Sequence, residues 1–483
     1  MNFRIVSKFL SAMSLLISVT MFFPLLWAFK DGSSDICAFV ISILTGLIFS
    51  LVLFAFGRKA DSKDMRTREA FAAVALAWIF ASFQGCLPYL AGGYITSFTD
   101  AYFETVSGFT TTGATILTNI EINPRGILMW RAETQWLGGM GIVVLTIALL
   151  PMLGMRVTQL FKAEAPGPVL EKISPRIQDM AIMLWKVYMG LTFVGILILA
   201  AGGMSIYESI CHIFAAVSTG GFSPRNANTA AYGSAYIDWA LTIIMFLSGA
   251  NFSLHLLAVK NKTLKPYKDP EFCFYSKIIL FSICAVSIYI YAQGFFTNLT
   301  DAVRFAAFHV VSIITTTGFV SADYSPWPPF THLLLLLLMF VGGCAGSTAG
   351  AIKCIRVKVA CNQIMSEIRR FIHPNAAVCV RVGEQIVDNK MASSVTAFIV
   401  LYFIVFILSV IAVSATGQDM VTSIGGVAAT LGNVGPGFGA VGPVNNFASQ
   451  PLFAKWVYIF CMLCGRLELY TLLVLFSKDS WRR

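Results

Sequence analysis

Charge is what this sequence has least of. Only 12% of its 483 residues are Asp, Glu, Lys or Arg, 57% are hydrophobic, and the mean hydropathy is +0.76. An ordinary soluble domain carries about 25% charged residues, so a water-soluble fold is excluded. Histidine is scarce as well: His212, His255, His309, His332 and His373 share no ligand spacing, and no metal cluster is expected. The eleven cysteines give no disulfide framework. Cys461 and Cys464 have CxxC spacing but lie inside the last apolar run, where burial is the common fate of a free thiol. No GxxxxGK[ST] loop, nucleophile motif or His-carboxylate cluster occurs, so enzyme chemistry and a bound cofactor are not expected. The net charge of +10 has no aromatic-basic platform beside it, and nucleic acid is not expected as a partner.

Apolar runs are what the sequence has in plenty. Stretches of about 20 residues, enough to cross a hydrocarbon core of about 30 Å as helix, lie near 9–29, 36–56, 69–90, 127–150, 183–203, 236–259, 273–293, 394–416 and 452–476. A tenth, 330–362, is interrupted by glycines. The first run follows Arg4 and Lys8 but is too long for a signal-peptide core and ends in no small-x-small site, so it counts as a membrane helix. Segments 1–8, 57–68, 151–182, 260–272, 351–390 and 477–483 hold 25 of the 34 basic residues, which places them and both termini in the cytoplasm.

A glycine-centred stretch recurs between these runs: Thr110-Thr111-Thr112-Gly113, Val217-Ser218-Thr219-Gly220, Thr315-Thr316-Thr317-Gly318 and Gly432-Asn433-Val434-Gly435. The central glycines are 107, 98 and 117 residues apart. Each stretch follows a short helical segment opened by capping and acidic residues: Ser97 to Asp100, Ser205 to Glu208, Asn298 to Asp301, and Gly417 to Asp419. A carboxylate there complements the positive end of the helix, and the negative ends of four such helices would converge on a cation. The same four acids also fit ordinary outer-surface caps that concentrate cations, and the two roles are compatible.

The pattern predicts an all-α polytopic membrane protein with four pseudo-symmetric helix, pore-loop, helix repeats around one central pore and two peripheral N-terminal helices. The boundaries are 1–66 for the peripheral pair, then 67–155, 156–260, 261–362 and 363–483 for the repeats. Backbone carbonyls can replace the water shell of a monovalent cation where glycine lets the chain line a narrow tube. The predicted filter residues are Thr111, Thr112, Gly113, Ser218, Thr219, Gly220, Thr316, Thr317, Gly318, Asn433, Val434 and Gly435. In the tenth run Gly342, Gly343, Gly346, Ser347 and Gly350 crowd together, and each Gly costs a helix about 1 kcal/mol relative to Ala. A loop beneath the filter is expected there, with close small-residue helix packing as the alternative.

The motifs SGFTTTGAT (107–115), VSTGGFS (217–223), ITTTGF (314–319) and LGNVGPGFG (431–439) resemble the four filter segments of the Trk/Ktr/HKT superfamily of potassium transporters. The length and the two extra N-terminal helices resemble its bacterial TrkH/TrkG branch. In that superfamily a glycine at each key position goes with potassium preference, so the resemblance implies K⁺ as the transported ion, taken up across a bacterial inner membrane. It also implies that 342–350 is an intramembrane gate faced by Arg466, that a cytosolic TrkA-like nucleotide-binding subunit regulates it, and that the protein forms a homodimer with one pore per protomer. The expected docking surface of the subunit is the basic set 57–68, 154–182, 260–272 and 363–393. A H⁺- or Na⁺-coupled K⁺ symporter is the alternative; it would want broken helices near the midplane, and the sequence shows one clear break. Arg131, Glu133, Glu104 and Arg304 are further charges within apolar surroundings, expected to pair and fix the docking of repeats.

Overall fold

The computed structural model describes residues 2–59, 67–141, 177–375, 379–383 and 385–473. Nearly all regular structure among them is helical, apart from a two-stranded antiparallel ribbon, β1 (Arg381–Val382) with β2 (Gln385–Ile386). Among the described residues six helices are long and apolar enough to cross a bilayer, seven if one bent pair counts as a span.

The chain opens with α1 (Phe3–Thr20), α2 (Phe22–Asp31) and α3 (Asp35–Gly57). Small polar residues hold α1 to α3: Ser7 donates to the Leu53 carbonyl at 3.0 Å, Ser11 to Ser50 at 2.9 Å and Ser14 to Gly46 at 2.9 Å. These hydroxyls let two backbones approach where lipid gives no hydrophobic drive for association. The other side of α3 exposes Ile41, Leu44, Ile48, Leu51 and Val52, as a lipid-facing surface does.

Four units of one pattern follow. The first is α4 (Thr67–Gly85), continued by α5 (Leu87–Ala91), then the short α6 (Phe98–Phe109) and α7 (Arg125–Gly139). The second is α8 (Ile177–Ala201), α9 (Ile206–Val217), α10 (Ala235–Ser248) and α11 (Phe252–Asn261). The third is α12 (Pro270–Ala292), α13 (Leu299–Ile314), α14 (Pro329–Val341) and α15 (Cys354–Ile372). The fourth is α16 (Asn389–Ser414), α17 (Met420–Leu431), α18 (Leu452–Arg466) and α19 (Tyr470–Leu473). Three of the short helices have side-chain caps: Ser97 accepts from Asp100 N, Ser205 from Glu208 N and Asp419 from Thr422 N. In the third, Asn298 makes no such bond and Asp301 lies in the first turn.

Within every unit the short helix packs between its two long neighbours, and the later helix of each unit packs on the short helix of the next. The pairs are α7 with α9, α10 with α13, α14 with α17, and α18 back on α6. The cycle is closed.

The later helices depart from the continuous runs expected from hydropathy. Helix α7 ends at Gly139, Gly141 is left-handed (φ 71), and the rest of the 127–150 run lies outside the described residues. The 236–259 run breaks between Ser248 and Phe252 with a 95° bend. The 452–476 run stops at Arg466, where Glu468 and Leu469 take positive φ. The expectation of a single broken helix is therefore corrected: the interruption at 342–353 has counterparts in units two and four.

Candidate functional site

Each short helix ends in the same turn. Thr111, Thr219, Thr316 and Asn433 are left-handed, with φ of 54, 56, 58 and 54. In the first copy Thr111 N bonds the Gly108 carbonyl and Thr112 N the Ser107 carbonyl, and the other three repeat the pair through Gly220, Thr317 and Val434. This is a Schellman termination, which ordinarily takes Gly at the left-handed position. A threonine there is strained, and such strain collects at functional sites.

Two residues on stand Gly113, Gly221, Gly318 and Gly435, with φ of 81, 78, 77 and 101. The matching glycine of unit two is Gly221, one residue beyond the Gly220 chosen from the sequence. Gly220 is equivalent to Thr112, Thr317 and Val434, and Ser218 to Thr110 and Thr315. The sequence aligned Ser-Thr-Gly with Thr-Thr-Gly, whereas the backbone aligns the left-handed Thr219 with Thr111.

A Cβ on Gly113 would press on the Gly220 carbonyl oxygen, one on Gly221 on that of Thr317, one on Gly318 on that of Val434, and one on Gly435 on that of Thr112 at 2.5 Å. Each glycine thus abuts the carbonyl that precedes the next glycine, in cyclic order. All four glycines line one open cleft with Thr115, Phe222, Arg225, Val320 and Phe447.

Buried polar groups brace these loops. Glu104 in α6 accepts from Arg131 Nε at 2.6 Å, Ile116 N at 2.9 Å and the Thr115 hydroxyl, and Arg131 donates on to the Ser223 carbonyl of unit two at 2.9 Å. Arg304 pairs with Asp301 and, across units, with Asp238 at 3.5 Å. Glu133 Oε2 is buried with no hydrogen-bond partner among the described residues. Gln135 of α7, which sequence reasoning missed, donates to the Gly220 carbonyl at 2.6 Å and accepts from Phe222 N at 3.0 Å. It fills the space that a side chain occupies in the other units: Thr110 with Thr112, and Thr315 with Thr317, share hydroxyl bonds of 2.8 Å. Its place beside Arg131, Glu133 and Thr134 in α7, a polar cluster within the apolar run, was the available signal.

The stretch after α14 is a loop. Gly342, Gly346, Ala351 and Lys353 have positive φ, and Cys344 N reaches the Gly249 carbonyl at 2.9 Å while Phe252 N reaches that of Gly346 at 3.1 Å. It therefore rests on the break of unit two. Gly343 would press a Cβ on the Gly249 carbonyl oxygen and Gly350 on that of Gly432. Ser347 bonds within the loop to the Cys344 carbonyl at 2.6 Å. Gly350 N donates to the Thr316 hydroxyl at 2.8 Å, tying the loop to the third left-handed residue.

Arg466, the last residue of α18, donates to Thr348 O at 2.8 Å, Gly138 O at 2.6 Å, Gly139 O at 2.7 Å and the Thr111 hydroxyl at 3.2 Å. It joins the loop, the end of α7 and the first glycine stretch. Glu468 pairs instead with Arg356 at 2.5 Å and Lys353 at 3.5 Å. In unit four Asn433 donates to the Thr112 hydroxyl at 2.9 Å and Met462 O at 3.0 Å, so it cross-links units one and four.

The TrkH family of cation transport proteins matches residues 36–482. The Trk system potassium uptake protein TrkH of Salmonella typhimurium is 37% identical over the full length of both chains. The Trk system potassium uptake protein TrkG of Escherichia coli is 34% identical, over 88% of this chain and 87% of its own. The crystal structure of the potassium transporter TrkH from Vibrio parahaemolyticus superposes with a TM-score of 0.90 at 34% identity, covering all of both chains. A closed cycle of four loop-bearing units and a full-length match to these relatives lead to one conclusion: the chain belongs to the TrkH family of cation transport proteins, membrane transporters and not enzymes.

Proposed function

We propose that this protein takes up potassium through a gated pore whose filter is built from main-chain carbonyls. The observation that carries the proposal is the cyclic contact of four positive-φ glycines with the carbonyls of Thr112, Gly220, Thr317 and Val434. Oxygens held at one level around an axis replace a hydration shell without placing full charge in the membrane. The filter then comprises Thr111, Thr112, Gly113, Thr219, Gly220, Gly221, Thr316, Thr317, Gly318, Asn433, Val434 and Gly435, with Ser218 behind it. The relatives' names supply potassium as the ion. The loop 342–353 with Arg466 forms the gate: a guanidinium bonded to Thr111 and Thr348 puts positive charge below the filter and repels a cation arriving there.

The relatives are components of a Trk system, which supports a cytosolic TrkA-like nucleotide-binding partner docking on the basic cytoplasmic segments. Of that surface, 60–66, 154–176, 376–378 and 384 lie outside the described residues. A homodimer in a bacterial inner membrane, with both termini cytoplasmic, completes the proposal.

Single-channel recording of the purified protein in planar bilayers tests it: K⁺-selective unitary currents are expected, and Gly113→Ser should admit Na⁺. A parental K⁺ preference in that variant would refute the filter assignment. The breaks in units two to four and Glu133 Oε2, buried without a hydrogen-bond partner among the described residues, favour coupled symport as a second reading; flux without unitary currents, driven by a proton or sodium gradient, would establish it.

A further inference from the structure

Glu271 lies in the first turn of α12, buried and outside the filter. Its Oε1 accepts from Ala345 N at 2.7 Å and from Ile355 N at 3.1 Å. One carboxylate oxygen therefore pinches the glycine loop where it begins to turn and where it passes into α15. Helix α15 lacks an end of its own: its N-cap residue Lys353 makes no side-chain cap bond, and no acidic residue occupies its first turn. The charge that a helix N-terminus attracts comes here from another helix. Asp269 accepts from the Glu271 and Phe272 N–H groups at 2.8 and 3.0 Å and so fixes the backbone that carries the carboxylate.

We propose that Glu271 is the latch that holds the glycine loop in its closed position, a positioning residue for gating that never touches the ion. The proposal rests on the reading of 342–353 as the gate. Arg466 also ties the loop at Thr348 O and Glu468 meets Lys353 at its end, while ties such as Cys344 N to Gly249 O and Gly350 N to the Thr316 hydroxyl are between neutral groups; bonds to an ionised acceptor are roughly twice as strong as these. The first turn of α15 is also moored on its far side, where Arg356 and Lys353 meet Glu468. Movement of α15 away from α12 breaks the Ile355 bond directly, so the helix that follows the loop acts as a lever on the latch.

The test is open probability, unitary conductance and K⁺ over Na⁺ preference of the full-length protein in bilayers. Glu271→Ala is expected to raise open probability about tenfold with conductance and preference unchanged, because only the latch is lost. Glu271→Gln, whose amide oxygen still accepts both bonds without the charge, is expected to give an intermediate rise. An open probability at or below the parental value in Glu271→Ala, with parental thermal unfolding, overturns the proposal. If Glu271→Ala does not fold, Glu271→Gln decides on the same terms. Removal of Gly346, Ser347 and Thr348 separates the two readings. A rise there without a rise in the Glu271 variants removes the latch and keeps the gate; no rise in any of them removes both.

Discussion

The one-residue shift in unit two can be tested by comparing Gly221→Ala with Gly220→Ala. At Gly221, φ is +78 and a Cβ would lie under 3.0 Å from the Thr317 carbonyl oxygen. The left-handed backbone costs an L-residue about 1–2 kcal/mol, and overpacking adds about 1–3 kcal/mol. The sum, about 2–5 kcal/mol, falls directly on a carbonyl of the proposed filter. At Gly220, φ is not positive, and the Cβ would meet the end of Gln135 at 2.5–2.8 Å. Displacing that side chain loses two hydrogen bonds, about 0.5–1.5 kcal/mol each, and leaves the carbonyl ring in register. Bi-ionic reversal potentials in bilayers, or paired K⁺ and Na⁺ flux in liposomes, read the difference. Gly221→Ala should largely abolish K⁺ preference, while Gly220→Ala keeps a substantial part of it. The double variant Gln135→Ala with Gly220→Thr, which recreates the arrangement of units one and three, should recover preference relative to Gly220→Ala. Loss in Gly220→Ala together with retention in Gly221→Ala would refute the assigned register.

Two further outcomes concern stability. Glu104→Ala leaves Arg131 charged in a site where both side chains are at most 3% exposed; breaking such a pair costs about 3–5 kcal/mol, and thermal unfolding in detergent should occur at a clearly lower temperature, with Glu104→Gln less affected. The hydrogen bonds from Thr422 hold the Asp419 carboxyl below the usual carboxylate range. A depressed folded pKa stabilises above the unfolded value, about 3.9, and the contribution disappears as pH falls through the folded value. The difference in unfolding temperature between the parent and Asp419→Ala should therefore stay constant from pH 8 to 5 and narrow only at lower pH; a difference that narrowed already between pH 8 and 6 would contradict this.

Much of the architecture was legible because its signals are local. Ser97, Ser205 and Asp419 mark short helices through capping chemistry that needs no tertiary context, and the glycine stretches follow at constant offset. The register of unit two was not legible, because two adjacent glycines satisfy the same string and only φ distinguishes them. The break at 249–251 was hidden by hydropathy, which averages over Ser248, Gly249 and Ala250. Asn251, which caps α11 by accepting from Ser253 N, was the overlooked stop signal. Gln135, Asn433 and Glu271 act through partners 85, 321 and 74 residues away, and no periodicity within one segment can report such contacts.

The closing side of the cycle has a consequence for synthesis. Asp100 waits for Lys455, and Thr111 for Arg466, each 355 residues later in the chain. While the ribosome is still translating, the first short helix has its own cap but no neighbour from unit four, and loop closure over such a length is slow to begin. A message cut short before codon 389 would leave three units inserted in the bilayer as an open horseshoe, with Asp100 lacking its ammonium partner and the Thr112 face uncovered. Quality-control proteases that recognise unassembled polar surface within the membrane would find it there.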